Sequence, residues 1–379
     1  MKNQQNEMLI QNINENNESC IVNMQNIQYN RTEKPMLIVI KIGTDSVIGN
    51  IVKIVHDIVN LKKQGHNIIM VSSGAVGTGR LIYKNLGNSP VEKQILASLG
   101  QVDLMMQYKL EFQKYEYHIG QILITKKDIE SKAEIENLEN MMQKMLIIGN
   151  IIPIINENDS IALRELMFTD NDEIAGMLAG VFGADKLIIL TNVDGVYDDF
   201  ISPNRKILHN IKYDDNIVIT QEKSSMGRGG MYSKVNVAKK LAKVGISTTI
   251  CNIKIENILQ KVISGFEVGT NFISQRKTKA SKIRRTLAFE PGVNIYGSIV
   301  INKCLEEKIK KSTSAFSILP IGITSFNGIF NKNNLVEIKT TTNTIIGYGL
   351  AGFTSNELSH YIGKENVKPF IRYEYMYIF

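Results

Sequence analysis

From Met36 to about residue 276, unbroken apolar segments alternate with segments of helical apolar spacing, and this rhythm limits the fold more than any other feature of the chain. Met36–Ile40, Asn67–Val71, Ile119–Ile124, Ile151–Ile155, Lys186–Leu190 and Ser247–Cys251 read as strands. Asn50–Lys63 carries Ile51, Ile54, Val55 and Ile58 on one face and reads as a helix stopped by Gly65. Helices are also expected within Val91–Tyr115 and over Ala133–Ile148, Asp172–Phe182 and Met231–Lys243. Strands apolar on both faces need cover on both, which implies a mostly parallel sheet with helices packed above and below.

The rhythm fails after residue 276. Gln275–Lys282 is polar and basic, like a linker, and short strand-like runs follow: Asn294–Ile301, Ser317–Leu319, Ile321–Phe326, Leu335–Ile338 and Thr344–Leu350. The first 35 residues are rich in Asn and Gln and read as a disordered extension, with a short docked helix as the alternative. The expected organisation is an extension over 1–35, an α/β domain over 36–275, a linker over 276–283 and a small β-rich domain over 284–379.

Of 379 residues, 43% are apolar and 21% charged, ordinary values for a globular protein with room for two domains. The net charge is +7, and residues 281–379 hold 12 Lys/Arg against 7 Asp/Glu. No Arg-rich run accompanies that excess, so a basic surface is expected rather than a nucleic-acid footprint. Cys20, Cys251 and Cys304 lie far apart in no zinc-binding pattern and are expected to be free thiols. No apolar run approaches the roughly 20 residues that cross a bilayer. The first residues lack the apolar core of a secretory signal, so a cytoplasmic protein without membrane contact is expected.

Polar clusters punctuate the strand ends and helix starts, where α/β proteins place ligands. Lys41 closes an apolar strand; unpaired burial there would be costly, so it should emerge and meet an anion. An exposed lysine at a strand end satisfies the same pattern. Ser72–Gly79 holds three glycines and three hydroxyls and reads as a loop of accessible N–H donors, or as a plain turn. Asn156-Glu157-Asn158-Asp159 suits an ammonium group or an ordinary turn. Thr169-Asp170-Asn171-Asp172 is good helix-capping chemistry. It is functional only if Asp172 has a partner, such as two lysines flanking a phosphoryl group. Gly227-Arg228-Gly229-Gly230 precedes a helix whose first turn carries Lys234, a position the helix dipole disfavours for a cation unless polyphosphate binds there. A flexible glycine loop with a surface lysine remains the alternative. Thr191–Tyr197 follows a strand and is a weaker nucleotide-binding pattern.

In this order the segments resemble the glutamate 5-kinases of the amino acid kinase family, over residues 36 to about 375. Ile154–Asp159, Thr169–Asp172 and Gly229-Gly230-Met231 with Lys234 carry the resemblance; Arg284–Gly363, including Ser317–Ile323, is similar to a PUA domain. The resemblance implies a three-layer α/β/α sandwich followed by a β-rich PUA-like domain. It implies that ATP phosphorylates the glutamate γ-carboxylate, the first step of proline synthesis, with Mg2+ on the phosphates and proline as inhibitor. It further implies that Lys41 and Lys234 neutralise the transferring group and that Asp172 orients them. Ser73, Asp159 and Asn171 would bind glutamate. Lys41, Thr191, Asn192, Gly227, Arg228, Gly229, Gly230, Met231 and Lys234 would contact ATP. No protein ligand for Mg2+ is implied. A homo-oligomer, dimer or tetramer, is expected, and with no reductase segment visible the kinase reaction is expected alone.

Three positions depart from the family pattern, all on the nucleotide side. Asn192 stands where Asp is usual, Arg228 where Thr is common, and Asp198–Pro203 lacks the usual Asp-Pro. Other members of the family acting on different acids, an RNA-binding PUA protein and a kinase fold retained only for regulation are the competing readings.

Overall fold

The computed structural model describes residues 34–126, 128, 132–161, 170–199, 204–217, 230–274, 278–289, 295–311 and 315–379. Almost all of the expected N-terminal extension lies outside the described residues, as do Thr169, Phe200–Pro203, Gly227, Arg228, Gly229, Arg276 and Lys277.

The apolar runs become strands β1 (Leu37–Ile42), β2 (Asn67–Ser72), β3 (His118–Ile124), β4 (Ile151–Glu157), β5 (Lys186–Thr191) and β7 (Ser247–Asn252). Two short strands, β6 (Asn210–Ile211) and β8 (Thr270–Phe272), complete an eight-stranded sheet in the order β3-β4-β2-β1-β5-β7-β8-β6. The first six are parallel throughout, and β8 turns antiparallel against β7. The helices are α1 (Thr44–Val47), α2 (Ile51–Lys63), α3 (Ala75–Ile82), α4 (Pro90–Gln113), α5 (Lys132–Ile148), α6 (Asn171–Phe182), α7 (Met231–Lys243), α8 (Ile258–Ile263) and α9 (Lys282–Leu287).

Side chains alternate across a strand, so β1 sorts its residues between two cores. Ile38, Ile40 and Ile42 join one core with Ile54 and Ile58 of α2, Tyr108 and Phe112 of α4 and Leu259 of α8. Val39 joins the opposite core with Met142 of α5, Ile174 and Leu178 of α6 and Leu241 of α7. The result is a sheet between two helical layers. Each of these isoleucines is almost fully buried, worth about 1.5–3 kcal/mol apiece.

Ser72–Gly79 corrects one expectation. The backbone turns at Gly74, in the left-handed region at φ 115°, and α3 begins at Ala75. Gly77 and Gly79 therefore lie inside a helix rather than in a loop of N–H donors. A Cβ on Gly79 would stand 2.0 Å from the Leu96 carbonyl oxygen, and one on Gly100 of α4 would stand 1.9 Å from that of Ala75. These glycines let α3 and α4 approach backbone to backbone.

A second, five-stranded sheet follows, built from β9 (Ile295–Ile301), β10 (Ile323–Gly328), β11 (Leu335–Lys339), β12 (Ile345–Leu350) and β13 (Met376–Ile378) in the order β10-β9-β11-β12-β13. Ile299, Ile338, Phe330 and Phe370 centre its own core. Ser317–Leu319 forms no strand; Ile318 makes a single bridge to Ile371, and a 3-10 turn follows at Pro320–Gly322. Two helices, α10 (Lys303–Lys311) and α11 (Ser355–Tyr361), accompany the strands beyond the runs read from sequence. Leu335, Tyr348 and Tyr377 pack into the same core as α6 and α7. Helix α9 lies against α6, with Arg285 Nε donating to the Gly180 carbonyl at 2.8 Å.

Candidate active site

The chain builds outward from β1 in two directions, to β2 on one side and to β5 on the other. That reversal leaves a crevice beyond the carboxyl ends of the strands, the usual ligand position in open parallel sheets. Here it is a cleft of about 480 Å³ lined by residues from the ends of β1, β2, β4 and β5 and the starts of α1, α3, α6 and α7.

Strand parity aims Lys41 at α6, because it shares the face of Val39. The lysine is only 5% exposed, and its Nζ stands 2.8 Å from Asp172 Oδ1. Lys234, in the first turn of α7, donates from Nζ to Asp172 Oδ2 at 3.0 Å. Asp172 is wholly buried in the first turn of α6. Asp170 caps that helix, accepting from the Asp172 and Glu173 amides at 2.9 and 3.0 Å, and thereby fixes where Asp172 points.

Burial is the strongest influence on the Asp172 carboxyl and pushes its pKa up, but the two lysines together outweigh it and hold the group below the ordinary carboxylate range. Burial lowers the Lys41 pKa, and the Lys234 charge adds to that effect against the pull of Asp172. Burial, then the charge of Asp172, raises Asp170. Two ammonium groups on one carboxylate leave the trio with one positive charge in excess, and the Asp170 carboxyl, itself raised by burial, is the next group to act on Lys41. A buried, under-compensated cation pair of this kind is suited to an anion bearing several oxygens.

On the β2 and β4 side, Asn171 Nδ2 donates to Ser73 Oγ at 2.7 Å and to Asn156 Oδ1 at 2.9 Å. Asn156 Nδ2 in turn donates to Gln101 Oε1 of α4 at 2.9 Å. Asp159 and Glu157 line the same part of the cleft. Ser73, Asn171 and Asp159 are thus brought together, and Asn156 and Gln101 stand behind them. Asn156 lies within a run that the sequence marked as polar. Gln101 carried no signal beyond being a polar residue on a helix.

On the β5 side, Asn192 Oδ1 accepts from Ser46 Oγ at 3.1 Å, while its Nδ2 donates to the Asp45 carbonyl at 3.1 Å. The side chain ties the end of β5 to α1, and Thr191 lines the cleft beside it. Asn252 Nδ2 adds a 2.7 Å bond to Asp194 Oδ1. Gly230 caps α7 and Met231 opens it. Gly227, Arg228 and Gly229 lie outside the described residues.

Among the described residues, no three His, Cys, Asp or Glu side chains cluster to hold a metal, and no helix is long and apolar enough to cross a membrane.

The amino acid kinase family matches residues 36–252, and the PUA domain matches residues 297–369. Glutamate 5-kinase from Chlorobaculum tepidum is 36% identical over 353 residues, covering 90% of this chain and 97% of that protein. The protein of the same name from Bacteroides thetaiotaomicron is 37% identical, covering 86% of this chain and 91% of its own. That from Thermotoga maritima is 32% identical, with 86% and 92% covered. The chain therefore belongs to the amino acid kinase family, with a PUA domain following the kinase fold.

Proposed function

We propose that the protein is a glutamate 5-kinase, transferring the γ-phosphoryl group of ATP to the side-chain carboxylate of glutamate. The observation that carries this reading is the buried Lys41–Asp172–Lys234 arrangement at the strand ends, in a chain so similar to proteins of that name. A γ-carboxylate oxygen attacks the γ-phosphorus, the bond to ADP breaks in line, and γ-glutamyl phosphate results. The acceptor is already ionised near neutral pH, so no general base is required; alignment and charge stabilisation supply the catalysis.

In this reading Lys41 and Lys234 neutralise charge on the transferring group, and Asp172 keeps the two ammonium groups apart and aimed. Ser73, Asn171 and Asp159 hold glutamate. Thr191, Asn192, Gly230 and Met231 face ATP, joined by Gly227, Arg228 and Gly229. Mg2+ keeps several waters and binds chiefly through phosphate oxygens, so a cleft without a cluster of three acids among its described residues still fits it. When bound, it would neutralise part of the phosphate charge.

The same reading makes this the entry step of proline synthesis, with proline as inhibitor. It also carries a homo-oligomer, a dimer or tetramer joined through the kinase region. An apolar stripe supports this: Val91, Ile95, Leu99, Val102, Met106 and Leu110 recur at spacings of three and four along α4, all exposed. The deciding experiment incubates the protein with ATP, Mg2+ and glutamate, and reads ADP release together with trapping of the acyl phosphate by hydroxylamine. Folded protein that releases no ADP in response to glutamate would sink the proposal.

A further inference from the structure

We infer that Gln101, a helix residue one layer behind the cleft, is a positioning residue that holds in place the hydrogen-bond polarity with which the acceptor site meets its ligand. The inference rests on the proposal that the acceptor is glutamate, and it concerns which end of that molecule each side chain can recognise.

The polarity follows from one group with no choice. The Glu157 backbone N–H can only donate, and it donates to Asn156 at 2.9 Å, so the atom of Asn156 facing it is Oδ1. The Asn156 amide nitrogen must then point the other way, where Gln101 Oε1 accepts from it at 2.9 Å. Asn171 faces the same Asn156 oxygen and must present Nδ2. The second hydrogen of that amide goes to Ser73 Oγ. Both Asn171 donors are therefore used, leaving its Oδ1 as an acceptor. Ser73 Oγ, already accepting, keeps its own hydrogen to donate.

The site thus offers a donor at Ser73 and an acceptor at Asn171, matching the carboxylate and ammonium groups of an amino acid. Reversing the Asn156 amide would oppose two donors at Glu157, two donors at Asn171 and two acceptors at Gln101. Gln101 closes the chain by taking the Asn156 donor where no water-exposed route exists: Gln101 and Asn156 are 8% and 2% exposed. It does so at a cost, because Gln101 Nε2 is buried without a hydrogen-bond partner. A buried donor left unmet is what remains when the oxygen of the same amide is required in one place.

Two substitutions of similar shape separate this role from packing. Gln101→Met removes the acceptor, and Gln101→Glu keeps an acceptor oxygen facing Asn156. Binding of glutamate and of glutarate, which lacks the ammonium group, is measured by calorimetry, and KM values for glutamate and ATP by steady-state assay. Gln101→Met is expected to weaken glutamate about tenfold and to narrow its advantage over glutarate, with the ATP KM within about twofold of wild type. Gln101→Glu is expected to stay within about threefold of wild type for glutamate. The inference is overturned if Gln101→Met binds and discriminates like wild type, or if both variants raise the glutamate and ATP KM values in parallel, as a packing defect would. Native protein that turns over glutamate while Gln101→Met is unchanged removes this inference alone; native protein that neither binds nor phosphorylates glutamate removes it together with the proposed function.

Discussion

Lys41 Nζ and Asp172 Oδ1 stand 2.8 Å apart at the floor of the cleft, both almost completely withdrawn from solvent. Lys234 occupies the other oxygen of the same carboxylate. Neither lysine therefore needs a further protein anion, yet the trio keeps a net positive charge for a phosphoryl group. Replacing Lys41 or Lys234 with Ala is expected to lower kcat by about 100-fold or more, equivalent to about 2.7 kcal/mol of transition-state stabilisation. The glutamate KM should move by less than about threefold. Steady-state kinetics at saturating ATP tests this, and near-wild-type turnover in either variant would refute the role assigned to that lysine.

The two acids at the start of α6 should respond to pH with opposite signs. Asp172 is held below its ordinary 3.8, so the stability its ionised form supplies is complete above that value and is lost as pH falls through the folded pKa. Asp170 is raised, so between its folded value and 3.8 the native state holds a proton that the unfolded chain has released, and stability rises as pH falls. Asp172→Asn should lower stability near neutrality by about 3–5 kcal/mol, because it strands two buried cations, and should flatten the loss below pH 3.8. Asp170→Asn should make the acid decline begin at higher pH. Melting curves from pH 2.5 to 7 for the three proteins decide it; an Asp172→Asn curve parallel to wild type throughout would be the contrary result.

The sheet was readable from sequence because apolar strands buried on both faces leave no alternative use for their side chains. Helix α7 has the bounds expected from its pattern, Met231–Lys243. Lys41, Asp172 and Lys234 were each visible as chemically unusual, since a lysine ending a buried strand or starting a helix needs a partner. Two features escaped because they depend on what lies opposite in space. Gly77 and Gly79 look like loop glycines until α4 is placed against them. Gln101 looks like an ordinary helix surface residue until Asn156 is brought beneath it. The β-rich region is legible in its short runs, whereas α10, α11 and β13 add cover whose amphipathic signal is too brief to read alone.

The backbone contact between α3 and α4 carries its own expectation. Gly100→Ala would drive a methyl group to 1.9 Å from the Ala75 carbonyl oxygen, and Gly79→Ala would bring one to 2.0 Å from that of Leu96. Backbone cannot yield as a flexible side chain does, so each substitution should cost about 1–3 kcal/mol or more. Because α3 starts directly after Ser73 and Gly74, separation of the helices also moves the acceptor site. Lower melting temperatures together with a raised glutamate KM are expected, and unchanged values for both variants would contradict the close approach.

Lys243, at the end of α7, bears on how the C-terminal sheet is held. Its ammonium lies 5.5 Å from the ring centre of Tyr213 and 5.6 Å from that of Tyr377, and burial, with a smaller effect from the Arg284 charge, pushes its pKa down to about 8. The folded protein therefore gives up this proton before the unfolded chain does. Between about pH 8 and the ordinary 10.5, the unfolded state binds more protons at this site, so the lysine's contribution to stability must rise with pH. Lys243→Met removes that contribution while leaving every other titrating group in place. The melting temperature of wild type minus that of Lys243→Met should accordingly climb across this interval and be level below pH 7. A difference that stays flat from pH 7 to 10.5 would show that the ammonium is not desolvated between Tyr213 and Tyr377.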